Sequence, residues 1–282
     1  MLKNAISLSG MILFSPAKIN LGLQILERRE DGFHNLRSIM YPTGLCDIIE
    51  INQQPEGNKA IRFSQSGIRF EADQENNLCI KAWQYMVDAC PLPPVSIHLH
   101  KQIPVGAGLG GGSSNATTIL KGLNLLTGSP LPTEKMAGLA VRLGSDCPFF
   151  LKEGPSLMEG RGELLSQVIL SLETYYLVVL FPEIHISSAE AYQDVCPAIP
   201  EVPLQQLITL PFDQWKGQIK NDFEANVFRK HPLLEELKQS LYHAGAGYAS
   251  MSGSGSALYG IFDKKPELPE RIQDYVIWEG PA

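Results

Sequence analysis

The sequence predicts strands and helices intermixed in two domains, on three observations. The chain has 282 residues, where a single domain ordinarily takes about 100–200. Strand-like and helix-like spacings of apolar residues follow one another along it, most sharply as a strand, a glycine loop and a helix around 95–126. Composition shifts at KEGPSLMEGRGE, 152–163, rich in Gly, Glu and Ser, which places a boundary there and gives domains 11–160 and 161–282.

The first residues, MLKNAISLSGMILF, carry one lysine and are interrupted by Asn4, Ser7, Ser9 and Gly10, so they support neither a signal peptide nor a membrane span. Ile12–Ile25 alternates enough to be a strand, with Pro16 marking a bend or an edge. A polar turn at Asp31-Gly32 follows, then Phe33 and His34. CDIIEIN reads as a strand, and the repeated IRF on either side of Ser64–Gly67 reads as a hairpin. Asn76 or Asn77 caps a helix to Ala89, burying Leu78, Ala82, Tyr85, Met86 and Ala89.

Val95, Ile97 and Leu99 alternate with polar neighbours as in a strand. Ala116, Ile119, Leu120, Leu123 and Leu126 line one helix face, closed by Gly128 and Pro130. Thr133 opens another helix through Met136, Ala137, Leu139, Ala140 and Leu143, stopped by Gly144. In the second half TYYLVVLFP is a strand and Ser187-Ser188 starts a helix toward Tyr192. Helical segments follow around Asn221–Arg229 and Leu233–His243. A second glycine turn, SMSGSGSALYGIF, joins strand-like halves, and YVIWE is the last strand.

The chemistry concentrates in GAGLGGGSSN, 106–115. Glycines let main-chain N–H groups turn toward one point, and a helix N-terminus adds about half a positive charge there. An anion fits, and a nucleotide phosphate fits best. No Gly-Lys-Ser or Gly-Lys-Thr occurs, so this is not a Walker loop. Gly106, Gly108 and Gly111 satisfy GxGxxG, yet where a dinucleotide site needs an acidic residue ending a second strand the chain reads TGSPLPTEK.

A net charge of −7 without a lysine or arginine block argues against nucleic acid as a main partner. The five cysteines are scattered and form no CxxC pair, which fits reduced thiols in a cytoplasmic protein, with Cys147 as filler. His98 and His100 share a strand face but have no third ligand nearby, so a structural role is favoured over a metal. Lys18 sits among Ala17, Ile19, Leu21 and Leu23; it is either a snorkelling lysine or the partner of a bound anion, with Asn20 on the same face. Phe33 and His34 suit the face and edge of a planar base. Asp146, in GSDCPFF, is a turn former or a catalytic base.

Three motifs in this order, SPAKINLGL, PVGAGLGGGSSNA and SGSGSALYGIF, resemble the three signatures of the GHMP small-molecule kinases, over nearly the whole chain from Met11. DGFHNL and GSDCPFF sharpen the resemblance to the members whose acceptor is a cytidine-diphosphate-linked polyol, phosphorylated on its C2 hydroxyl in isoprenoid biosynthesis. The resemblance implies a two-domain α+β fold, a nucleotide-binding half related to a ribosomal-protein fold and a ferredoxin-like half, with the substrates in the cleft between them. It implies ATP and Mg²⁺ as cofactors, a small-molecule partner, no nucleic acid, no membrane, and a monomer or weak homodimer. Asp146 is implied as general base with Lys18 as its partner. Gly106, Ala107, Gly108, Leu109, Gly110, Gly111, Gly112, Ser113 and Ser114 are implied around the ATP phosphates, with Lys101, Asn77 and Asn115 near the adenosine, Pro104 and Val105 as further nucleotide-binding residues, and Ser114 as a metal ligand. Asn20, Phe33, His34, Tyr192 and Ser188 are implied for the acceptor, Phe33 and Tyr192 sandwiching its cytosine. Ala107 stands where the family often has glycine, which predicts a negative φ. A sister kinase of the homoserine or mevalonate type, an ATP-using decarboxylase, and a non-catalytic nucleotide-binding module stay open as alternatives.

Overall fold

A computed structural model describes residues 5–6, 10–55, 59–69, 77–128 and 131–282; Asn4, Ser7, Ser9, Asn76 and Pro130, named above, and the last residue of the second IRF lie outside these. In chain order the strands and helices are β1 (Ala5–Ile6), β2 (Gly10–Arg28), β3 (His34–Gln53), β4 (Ile61–Gly67), α1 (Leu78–Ala89) and β5 (Val95–Lys101). Then come α2 (Gly111–Leu126), α3 (Thr133–Leu143), α4 (Cys147–Leu151), β6 (Ser156–Gly160), β7 (Leu164–Gln167) and β8 (Tyr176–Leu180). Last are α5 (Ser188–Tyr192), α6 (Leu204–Leu207), α7 (Glu224–Lys230), α8 (Pro232–His243), β9 (Tyr248–Met251), β10 (Leu258–Phe262), α9 (Glu270–Gln273) and β11 (Val276–Pro281).

The chain forms two compact units that do not follow chain order. The first holds 1–17, 45–105 and 110–153; the second holds 18–44, 106–109 and 154–282. Among the described residues no helix is long and apolar enough to cross a membrane.

In the first unit, the apolar faces of α1, α2 and α3 bury Ala82, Met86, Ile119, Leu123, Met136 and Ala140 against Leu13, Ile49, Ile51, Ile97 and Leu99 of the strands. Such burial is the main favourable term in folding, at roughly 25 cal/mol per Å² of apolar surface. The approach of α2 is close: a Cβ on Gly122 would lie 2.6 Å from both Leu13 Cδ1 and Ile51 Cδ1. Asn77 caps α1, accepting from Cys79 N at 2.9 Å. Ala89, expected on the buried side of α1, is exposed: it is the helix's last residue, one turn past Met86, where the buried stripe of Cys79, Ala82 and Met86 ends.

The expected hairpin at Ser64–Gly67 is not formed: Ile61–Gly67 is one strand, parallel to β5, with Ile61 opposite Val95 and Gly67 opposite Lys101. The polar run stays extended because its hydroxyls bond the β5 histidines. Ser64 Oγ lies 2.8 Å from His98 Nδ1, and Ser66 Oγ lies 2.9 Å from His98 Nε2 and 3.0 Å from His100 Nδ1. Those bonds give the two histidines a structural role.

In the second unit, β6 pairs antiparallel with the first half of β3, Leu36 opposite Gly160, and β7 pairs with β6. A separate sheet has the order β11-β8-β10-β9, every pair antiparallel. Taken as four strands in chain order this is 4-1-3-2, with α8 between the first two and α9 between the last two, the ferredoxin-like arrangement expected of this half. Tyr248 and Tyr259 are fully buried within it.

Candidate active site

In the first unit the site begins at α2. Gly110 caps this helix at φ 69°, and the helix starts at Gly111, inside the glycine run. The start is early because the chain there lies on β5: a Cβ on Gly111 would sit 2.9 Å from Lys101 Nζ and 2.8 Å from Ile103 Cγ2. Gly112 is exposed and Ser113 half-buried, and no acidic residue stands in the first turn. The positive end of this 16-residue helix therefore meets no acidic side chain of its own first turn.

Beneath this turn is a buried polar network. Ser15 Oγ and Ser114 Oγ are 2.8 Å apart, Asn115 Nδ2 donates to Ser15 Oγ and to Asp47 Oδ2, and Lys101 Nζ donates to the same carboxylate. Asp47 also accepts from the N–H groups of Gln102 and Ile103. Burial lowers the Lys101 pKa, opposed by Asp47. Lys101, Asn115 and Ser114 thus have partners within the protein, and Asp47 is a residue that sequence reading missed. The available signal was a carboxylate in the apolar run CDIIEIN, the same kind of signal that marked Lys18.

Asp146 is half-buried, at the N-cap position of α4, and its side chain does not cap that helix. Thr117 Oγ1 of α2 donates to Cys147 O at 3.1 Å, which ties the residue after Asp146 to the second turn of α2. Burial raises the Cys147 pKa, as befits filler.

In the second unit, Lys18 is 4% exposed on β2, and its Nζ donates to Asn20 Oδ1, so the two share a face as their spacing predicted. Asn20 Nδ2 donates to Ser38 Oγ at 2.8 Å, and Tyr259 Oη donates to Asn20 O at 2.7 Å. Residues 106–109 lie alongside: Lys18 N donates to Leu109 O at 2.9 Å. Gly106 and Gly108 have φ of 73° and 78°, while Ala107, as expected, is not among the positive-φ residues. Pro104 is buried and Val105 exposed where the chain leaves β5.

Phe33 is 56% exposed and lies under the Arg161 guanidinium, 4.9 Å from its ring centroid. Tyr192 stacks on His34, centroids 4.8 Å apart and planes 16° apart, and meets Phe223 edge-on. Burial, and next the charge of Arg28, lowers the His34 pKa. Ser188 is exposed at the start of α5, whose N-cap is Ser187. The structure therefore pairs Tyr192 with His34, both half-buried, and the exposed Phe33 with Arg161.

Models of the N-terminal and C-terminal domains of GHMP kinases match residues 77–154 and 204–277. The 4-diphosphocytidyl-2-C-methyl-D-erythritol kinase of Parabacteroides distasonis is 43% identical, covering 96% of this chain and 99% of its own. That of Bacteroides thetaiotaomicron is 44% identical, covering 92% and 95%. A crystal structure of 4-(cytidine 5'-diphospho)-2C-methyl-D-erythritol kinase superposes with a TM-score of 0.79 at 31% identity, over 96% of this chain and 98% of that one. A homoserine kinase from Cytophaga hutchinsonii, at 18% identity and a TM-score of 0.66, shares the fold.

Proposed function

Because the chain belongs to the GHMP kinase family, we propose that it transfers the γ-phosphoryl group of ATP to the C2 hydroxyl of 4-diphosphocytidyl-2-C-methyl-D-erythritol, giving the 2-phosphate and ADP. The observation that carries this is end-to-end similarity to bacterial relatives bearing that substrate's name. The homoserine and mevalonate alternatives share only the fold.

Phosphoryl transfer needs positioning and charge neutralisation more than covalent help. The N–H groups opening α2 face the phosphates, and the absence of acidic residues in that turn favours this. Asp146 accepts the proton of the attacking hydroxyl. Lys18 supplies positive charge to the reacting groups, and Asn20 orients the acceptor. Mg²⁺ arriving with ATP would supply charge neutralisation on the phosphates, and Ser114 is the residue that would hold it. Ser114 Oγ accepts from Ser15 Oγ and keeps a second lone pair for such an ion. Lys101 and Asn115, bonded to Asp47, serve the nucleotide by holding α2, as Asn77 does by holding α1. Phe33, His34, Tyr192 and Ser188 receive the cytidine end. The protein works in the cytoplasm on small molecules, as a monomer or weak homodimer, with its family halves divided near residue 160.

Phosphorus NMR of the protein with Mg-ATP and this acceptor tests the reading. A new phosphomonoester signal appearing with ADP, and none with homoserine or mevalonate, is the expected result; ATP binding without transfer to this acceptor overturns it.

A further inference from the structure

Asn221 lies in the second unit and is 2% exposed, just before α7. Both N–H donors of its amide and one lone pair of its oxygen are used. Nδ2 donates to Met251 O and to Gly253 O, both at 2.8 Å, and Oδ1 accepts from Phe223 N at 3.0 Å. The backbone on each side of it is clamped to β2: Leu23 N donates to Lys220 O and Asp222 N donates to Leu23 O, both at 2.9 Å. Ile25 N donates to the Asp222 carboxylate at 2.8 Å. Asn221 is therefore fixed to the strand that carries Lys18 and Asn20, and it holds two carbonyls of the second glycine turn.

That turn has two close neighbours. Gly253, at φ 57°, lies so near that a Cβ there would be 3.3 Å from Lys18 Nζ and 3.4 Å from Asn20 Oδ1. Ser252 Oγ donates to Gly108 O at 2.9 Å, and Ala257 N donates to Ala107 O at 3.0 Å. A Cβ on Gly108 would fall 2.0 Å from Ser252 O. The two glycine segments interlock: glycine is required at Gly108 by the close approach of Ser252 O, and is favoured at Gly253 by its φ of 57°.

We infer that Asn221 is a positioning residue for phosphoryl transfer: by locking the second glycine turn to β2, it sets where that turn meets Lys18, Asn20 and the first glycine loop. The inference rests on the kinase reading above. Asn221 acts through the turn and touches no substrate. An asparagine is needed because one side chain must give two N–H bonds to carbonyls and take one from an amide. Aspartate has the same shape but turns both donors into acceptors facing those carbonyls.

The test compares Asn221→Asp and Gly253→Ala with the unaltered chain, with melting curves used to choose a temperature at which each is fully folded. The expected result is a kcat per folded molecule lowered about 100-fold, the cost of a misplacement of about 1 Å, with both KM values changed far less. A role confined to stability leaves the rate per folded molecule unaltered, so folded Asn221→Asp with full kcat overturns the inference. If Asn221→Asp does not fold, Gly253→Ala decides. It leaves the Asn221 side chain in place but puts a methyl group 3.3 Å from Lys18 Nζ and forces a non-glycine residue to φ 57°, so it displaces the turn that Asn221 grips, and full kcat in it is equally fatal. Inactivity of the unaltered chain on the acceptor overturns the kinase reading instead.

Discussion

Lys101 and Asp47 form an ion pair in which the lysine side chain is 2% exposed and the carboxylate 0%. Removing one partner of such a pair leaves an uncompensated buried charge, at a cost of about 3–5 kcal/mol. Lys101→Met is therefore expected to lower unfolding stability by that amount in chemical denaturation. Nucleotide affinity should fall with it, because Asp47 also anchors Asn115 and the chain entering the loop. A Lys101→Met protein of unaltered stability would show that the pair holds nothing in place.

Asp146→Asn keeps the shape of the side chain and removes its basicity. General-base catalysis contributes about 10²–10⁴-fold, so kcat is expected to drop within that range while ATP binding, followed by calorimetry, persists. A full rate in this variant removes Asp146 from the base role.

His34 has a pKa below its ordinary 6.5, from burial first and the charge of Arg28 second. The unfolded chain then binds the proton more tightly than the folded one, so this group's contribution to stability is lost as pH falls below 6.5. Histidine NMR should show a midpoint under 6.5, moving upward in Arg28→Gln. A midpoint at or above the ordinary value would show that neither burial nor Arg28 governs the ring's titration.

The thiols of Cys46 and Cys79 are pushed up by burial, to about 11 and about 12 respectively. Cys196 is exposed. Since the thiolate is the reactive form, iodoacetamide at neutral pH should label Cys196 first, with Cys46, Cys79 and Cys147 spared until the protein is unfolded. Peptide mass spectrometry reads this directly, and early labelling of Cys147 would end its assignment as filler.

The strand, glycine loop and helix around Gly106 were legible because each is a local pattern: alternation, a run of residues that tolerate positive φ, and a 3.6-residue period. Lys18 stood out because an amine among apolar neighbours is costly without a partner, and the same logic applied to Asp47 would have found it. The polar run Ser64–Ser66 misled, since a turn and an edge strand share that composition and only the histidines of β5 decide between them. Ala89 was misplaced because periodicity gives a face but not where the neighbouring core ends.

By itself, the sequence marked most of the larger helices and strands and the glycine run that opens α2, since these depend on neighbours within a few positions. Tertiary structure alone decided what holds those groups. Asp47 reaches Asn115 across 68 positions, Ser252 reaches Gly108 across 144, and Asn221 grips a turn some 30 residues away. A hydrogen bond is satisfied by whichever partner the fold brings within about 3 Å, and nothing in the spacing of a sequence encodes that distance.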